Sequence, residues 1–157
     1  MRRAVYVLLA LATTLAACRG RPPYEGRSVA ELEGLLRKPD LVAQAQGAYG
    51  LSLLGPRALE ALPALIDALR SPGALVRQNA ALAIGKIGPE AKAAVPALID
   101  ALSDSEWTVR RQSADSLGEI GEAAREAVPA LEKLSHDRDT LVRKTALDAL
   151  AKIGREK

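Results

Sequence analysis

One motif returns every 33 residues along this chain, and that interval limits the possible fold more than any other feature. Ala61–Gly88 reads ALPALIDALRSPGALVRQNAALAIGKIG, Ala94–Gly121 reads AVPALIDALSDSEWTVRRQSADSLGEIG, and Ala127–Gly154 reads AVPALEKLSHDRDTLVRKTALDALAKIG. Pro63, Pro96 and Pro129 keep the interval, as do Val76, Val109 and Val142, then Arg77, Arg110 and Arg143, then Gly88, Gly121 and Gly154. A fixed period of roughly 20–50 residues marks a solenoid, in which each unit buries its apolar face only against its neighbours.

Each unit reads as two helices. In the second helix, Val76, Ala80, Ile84 and Ile87 form one apolar stripe at helical spacing. Val109, Ser113, Leu117 and Ile120 repeat it, as do Val142, Ala146, Leu150 and Ile153. The first helix carries Leu62, Leu65, Ile66 and Leu69, then Val95, Leu98, Ile99 and Leu102. The glycines that close each unit suit a left-handed position after the last helical residue. Asp40 and Asp139 are placed to cap a second helix; Gly73 is an adequate cap and Glu106 a poor one. The prolines predict either a bend within every first helix or a helix that starts at proline. Good helix-starting sequence at Pro89–Ala94 favours the bend.

The expected architecture is therefore all-α: a right-handed α-solenoid of about four stacked two-helix repeats, at 27–57, 58–88, 89–121 and 122–154. The first repeat is degenerate, with Ala30 at the proline position, Gln44 at the arginine position, and Gly47 and Gly50 within its second helix. An end unit with one neighbour is expected to drift in this way.

Residues 1–26 read differently. Met1-Arg2-Arg3 precedes an uncharged run of 14 residues, Ala4–Ala17, which is the pattern of a secretory signal and too short for the roughly 20 residues of a spanning helix. It ends Leu15-Ala16-Ala17-Cys18, which resembles the lipobox of bacterial lipoproteins. The resemblance implies a signal peptide at 1–17, a lipidated Cys18 and a short tether at 18–26. Arg19, rather than Asp, after the cysteine points by the same resemblance to the outer membrane, with the chain facing the periplasm; the inner membrane and the cell surface are the alternatives. Arg19, Arg21 and Arg27 could meet anionic headgroups.

Proline in the first helix, aspartate at the turn and Val-Arg in the second helix resemble HEAT repeats, in particular the short bacterial type named after phycobilisome lyases. In that family aspartate and arginine form a hydrogen-bonded ladder between units. The resemblance places Asp104, Arg110, Asp137 and Arg143 in it. Ser71 stands in the aspartate's place before Arg77 and Lys38 before Gln44, so the ladder is expected to be complete only in the last two units.

Candidate chemistry is sparse. Ser135-His136-Asp137 spells a triad, but neighbours in one turn cannot take the geometry of nucleophile, base and orienter. One Cys and one His exclude a zinc site of the usual ligands. No cofactor, metal or catalytic residue is expected. Without Arg2 and Arg3 the chain carries 20 basic and 19 acidic residues, a balance that argues against nucleic acid. The expected function, as the resemblance to HEAT repeats implies, is a membrane-anchored, non-catalytic scaffold that binds protein through its concave face, which the second helices line. Its rival, implied by the family name, is a bilin-lyase-like or other enzyme-accessory subunit.

The candidate contact row lies opposite the buried stripe of the second helices: Gln78 and Leu82, Arg111 and Asp115, Lys144 and Asp148. Arg111–Asp115 and Lys144–Asp148 could equally be i,i+4 pairs within one helix. Trp107 joins the candidates as the only Trp. After Gly154 the final apolar face is expected to need charged residues, dimerisation or a partner to cover it.

Overall fold

The computed structural model describes residues 24–154. Eight α-helices follow one another there: α1 (Val29–Leu36), α2 (Leu41–Leu54), α3 (Leu62–Ala68), α4 (Ala74–Ile87), α5 (Val95–Ala101), α6 (Trp107–Ile120), α7 (Val128–Leu134) and α8 (Thr140–Ile153). No strand occurs among the described residues. The second helices α2, α4, α6 and α8 are 14 residues each and stack in that order. The signal sequence, Cys18, Arg19 and Arg21 lie outside the described residues. Among those described, no helix is long and apolar enough to cross a membrane.

The stripes foreseen on the second helices form the core. Val76, Ala80, Ile84 and Ile87 are buried, as are Val109, Leu117 and Ile120. Alanines at one register, Ala48, Ala81 and Ala114, are fully buried, so neighbouring units approach closely without large side chains between them. Gly85 takes this furthest: a Cβ there would stand 2.9 Å from the Cα of Ser116 in the next unit.

The prolines do not bend a continuous helix. In the last three units the first helix is a 3-10 segment (Gly55–Ala61, Pro89–Ala94, Gly121–Ala127) followed by a seven-residue α-helix with proline near its start. Proline lacks the N–H that would continue α-type bonding from the segment before it, so that segment closes with tighter i→i+3 bonds. The expectation of a bent helix is thus corrected to its alternative, a helix that begins at proline.

The closing glycines also need adjustment. Gly55, Gly88 and Gly121 have φ of 56, 84 and 70°. Their ψ values, near −131 to −148°, put them outside the left-handed helical well, in a region open to glycine almost alone. Gly154 has φ −80° and needs no such freedom. Asp40 and Asp139 cap α2 and α8 through backbone N–H groups, while Gly73 and Glu106 provide no side-chain cap.

Candidate binding faces and the ladder behind them

At the turn between the helices of the last three units one side chain repeats its geometry. Arg77, Arg110 and Arg143 each donate from Nη1 to two carbonyls of their own turn, at 2.8–3.2 Å. The other edge of the guanidinium reaches into the following unit. Arg77 donates from Nε and Nη2 to Asp104 at 2.7 and 2.8 Å. Arg110 does the same to Asp137 at 2.8 and 3.0 Å. These are bidentate, charge-assisted bonds, and they satisfy a guanidinium that is only 5% exposed at Arg110.

The rungs differ from the sequence expectation in one respect. The aspartate six residues before an arginine offers only its backbone carbonyl; the acceptor carboxylate lies 27 residues ahead. Arg77 therefore has a rung despite Ser71, and Arg143 forms no salt bridge among the described residues. The first rung is a neutral version: Ser71 Oγ donates to Gln44 Oε1 at 3.1 Å, while Gln44 Nε2 donates to the Lys38 carbonyl.

Each acceptor also shapes its own turn. Asp104 accepts from the Glu106 amide and Asp137 from the Asp139 amide, as Ser71 does from Gly73. Burial alone would raise the Asp104 carboxyl, but the bonds from Arg77 and the Glu106 amide outweigh it and hold it below the usual range. The Arg110 guanidinium holds Asp137 below it as well. The triad letters do not line up as a relay: Ser135 Oγ donates to the Glu132 carbonyl at 2.7 Å and lies 3.1 Å from His136 Nδ1, which is itself 3.2 Å from that carbonyl, while the Asp137 carboxylate is taken by Arg110.

Two surfaces line the exposed side of the second helices. Between α6 and α8, Arg111, Asp115 and Asp148 line an open cavity of about 440 Å³ with Gln112, Thr145 and Lys152. Gln78, Leu82 and Lys144 are not part of it. Neither i,i+4 ion pair considered above is among the salt bridges of the described residues. Instead Lys152, which the sequence reading passed over, bonds Glu119 at 2.6 Å and lies 3.6 Å from Asp115. That bond lowers the Glu119 carboxyl and raises the Lys152 amine.

The second surface is apolar. Between α2 and α4, Leu41, Val42, Tyr49 and Leu75 form a trough of about 500 Å³, closed on one side by Tyr24. Tyr24 meets Tyr49 edge-on, ring centres 5.1 Å apart. Val42 (62% exposed), Leu75 (60%) and Leu141 (48%) occupy one register, and Trp107 (39%) opens the helix between them. The guanidinium of Arg111 sits 5.6 Å from the centre of the Trp107 ring, a cation–π arrangement. An apolar ridge thus runs along the starts of the second helices. The sequence signal was the register of 33 residues that holds Val42, Leu75 and, two periods on, Leu141, with Thr108 between.

Helix pairs stacked at a constant interval and pinned by a side-chain ladder define an α-solenoid repeat protein. The chain belongs to the HEAT-repeat family, whose model, described as HEAT repeats, matches residues 29–100 and 95–157. No curated protein matches it in sequence. An engineered protein of known structure is 27% identical with a TM-score of 0.71, over 81% of this chain and 62% of that one. Human deoxyhypusine hydroxylase, solved with glycerol, is 30% identical with a TM-score of 0.66, over 86% of this chain and 46% of that one. The chain thus spans less than two thirds of either. The complex of CpcE and CpcF of phycocyanin lyase from Nostoc shares the fold at 24% identity and a TM-score of 0.66, over 77% of this chain and 79% of that one.

Proposed function

We propose that this chain is a non-catalytic scaffold that binds another protein along the exposed side of its second helices, held at a membrane of the cell envelope by a lipidated Cys18. The observation that carries the binding reading is the ridge of Val42, Leu75, Trp107 and Leu141 beside the polar groove of Arg111, Asp115 and Asp148. Apolar side chains gathered at the surface near the starts of neighbouring helices, rimmed by charge, are the composition of a docking face. Trp107 under Arg111 supplies the aromatic and guanidinium pair enriched at binding hot spots. Gln78, Leu82 and Lys144 extend the contact row on either side. The lipobox-like Leu15–Cys18 supports the anchor, and Arg19 favours the outer membrane facing the periplasm.

Site-specific photo-crosslinking in intact cells tests the docking face. A crosslinker in place of Leu75 should capture a reproducible protein neighbour, and one in place of exposed Lys92 should not. Equal capture at both positions, or none at Leu75, would refute the face. A clickable fatty acid should label the wild-type chain and not Cys18→Ser; label retained in that variant would refute the anchor. Bilin binding, the rival, would shift the absorption of added bilin; no shift is expected.

A further inference from the structure

We infer that the apolar trough between α2 and α4 holds one fatty-acyl chain of the lipid carried on Cys18 when the molecule is away from the bilayer, an assignment that rests on the anchor reading of the previous section. The trough lies between two stacked units and not at an end of the stack. Leu41, Val42, Ala45, Tyr49, Leu75 and Val76 line its apolar walls in a space of about 500 Å³. No charged side chain lines it among the described residues. Of its two side-chain amides, Asn79 is turned to the wall, where Nδ2 donates to the Ala45 carbonyl at 3.0 Å. An apolar space with few polar groups, between about 300 and 1,000 Å³, is the usual form of a small-ligand site. Its chemistry suits an uncharged hydrocarbon chain, which gains by leaving water.

Tyr24 fixes where the tether begins. It walls the trough and meets Tyr49 edge-on. It seats against α2 at Gly50, where a Cβ would stand 2.7 Å from the Tyr24 Cβ and 2.5 Å from a Leu32 methyl. Glycine at that position thus makes room for Tyr24 beside the trough. Cys18 stands six residues before Tyr24, which is at most about 20–22 Å along the chain. An acyl chain on Cys18 therefore meets the trough at the high effective concentration that a short tether imposes.

The same registers change character away from the tether. Ala45 is followed at successive intervals of 33 by Gln78, Arg111 and Lys144, and Tyr49 by Leu82, Asp115 and Asp148. The corresponding space between α6 and α8 is lined by Arg111, Asp115, Asp148 and Lys152, where hydrocarbon would strand charges away from water. The apolar end of the row is thus the end nearest the tether.

The test labels the full chain in its native cells with a photoreactive, clickable fatty acid, then moves the purified protein to buffer without detergent. An excess of the same chain labelled with heavy isotopes is added before irradiation, so that a crosslink between copies is recognised by its mass. The expected product joins Cys18 through the probe to residues 41–49 or 73–79 of the same molecule. Val42→Gln combined with Leu75→Gln, both at exposed positions, should lower its yield about tenfold, a loss equal to about 1.4 kcal/mol. Leu141→Gln, on the ridge but outside the trough, should leave the yield unchanged. Label on Cys18 with crosslinks only elsewhere on the chain, only to a second copy, or only from free lipid in the trough would overturn the inference, as would an unchanged yield in the double variant. No label at Cys18 of the wild type would instead remove the anchor reading, and the inference with it.

Discussion

Arg110 grips Asp137 with both Nε and Nη2 while its Nη1 holds the carbonyls of Asp104 and Ser105, so one buried side chain fastens its own turn and the next unit together. Removing the carboxylate leaves a buried cation with half its partners. Asp137→Ala should therefore cost about 3–5 kcal/mol in urea unfolding followed by circular dichroism. Combining it with Arg110→Ala should cost much less than the sum of the single changes, because each removes the same bond. Additive losses would show that the rung contributes little.

The same rungs set an acid limit. Asp104 and Asp137 are both held below the ordinary carboxylate range, with Arg77 and Arg110 as the lowering partners. Their stabilisation is complete above the unfolded value of about 3.9 and is lost as pH falls through the lowered folded values. Stability should thus drop below about pH 4, and Asp137→Asn should flatten that slope relative to the wild type. Equal slopes in the two proteins would count against the rung as the cause.

Ser113 sits in the core stripe where the neighbouring units have Ala80 and Ala146, and its hydroxyl is buried without a partner. An unpaired buried hydroxyl costs about 1–3 kcal/mol. Ser113→Ala should stabilise the fold by about 1 kcal/mol, read as a higher urea midpoint at unchanged slope. A lower midpoint would mean that the hydroxyl is satisfied in solution.

Gly88 and Gly154 end two units in different backbone conformations. At Gly88 a Cβ would meet nothing closer than 3.9 Å, so the strain of Gly88→Ala is purely conformational. It should cost about 1–3 kcal/mol, whereas Gly154→Ala, at φ −80°, should change stability by less than about 1 kcal/mol. Thermal unfolding of the two variants side by side decides this.

Much of this fold could be read from residues alone, because stacking repeats its demands. The Val76 stripe, the Asp40 and Asp139 caps and the two-helix unit follow from local spacing. The ladder's partners did not. Six residues separate Asp104 from Arg110, but that spacing places the side chain over the aspartate's carbonyl; only the stacking of units brings Asp137 to it. The apolar ridge was missed for a different reason. Val42 and Leu75 follow a cap and lie off the buried stripe, so one helix at a time they look incidental. Lys152 escaped notice because its partner Glu119 belongs to the neighbouring helix.

The donor and its acceptor recur at one and the same interval of 33 residues. Excising residues 88–120 would therefore rejoin the chain with Arg77 facing Asp137, twenty-seven positions away as before. A cut of any other length would leave both groups stranded. Length in this molecule can change only in whole periods, which lets recombination lengthen or shorten it without inventing a new interface.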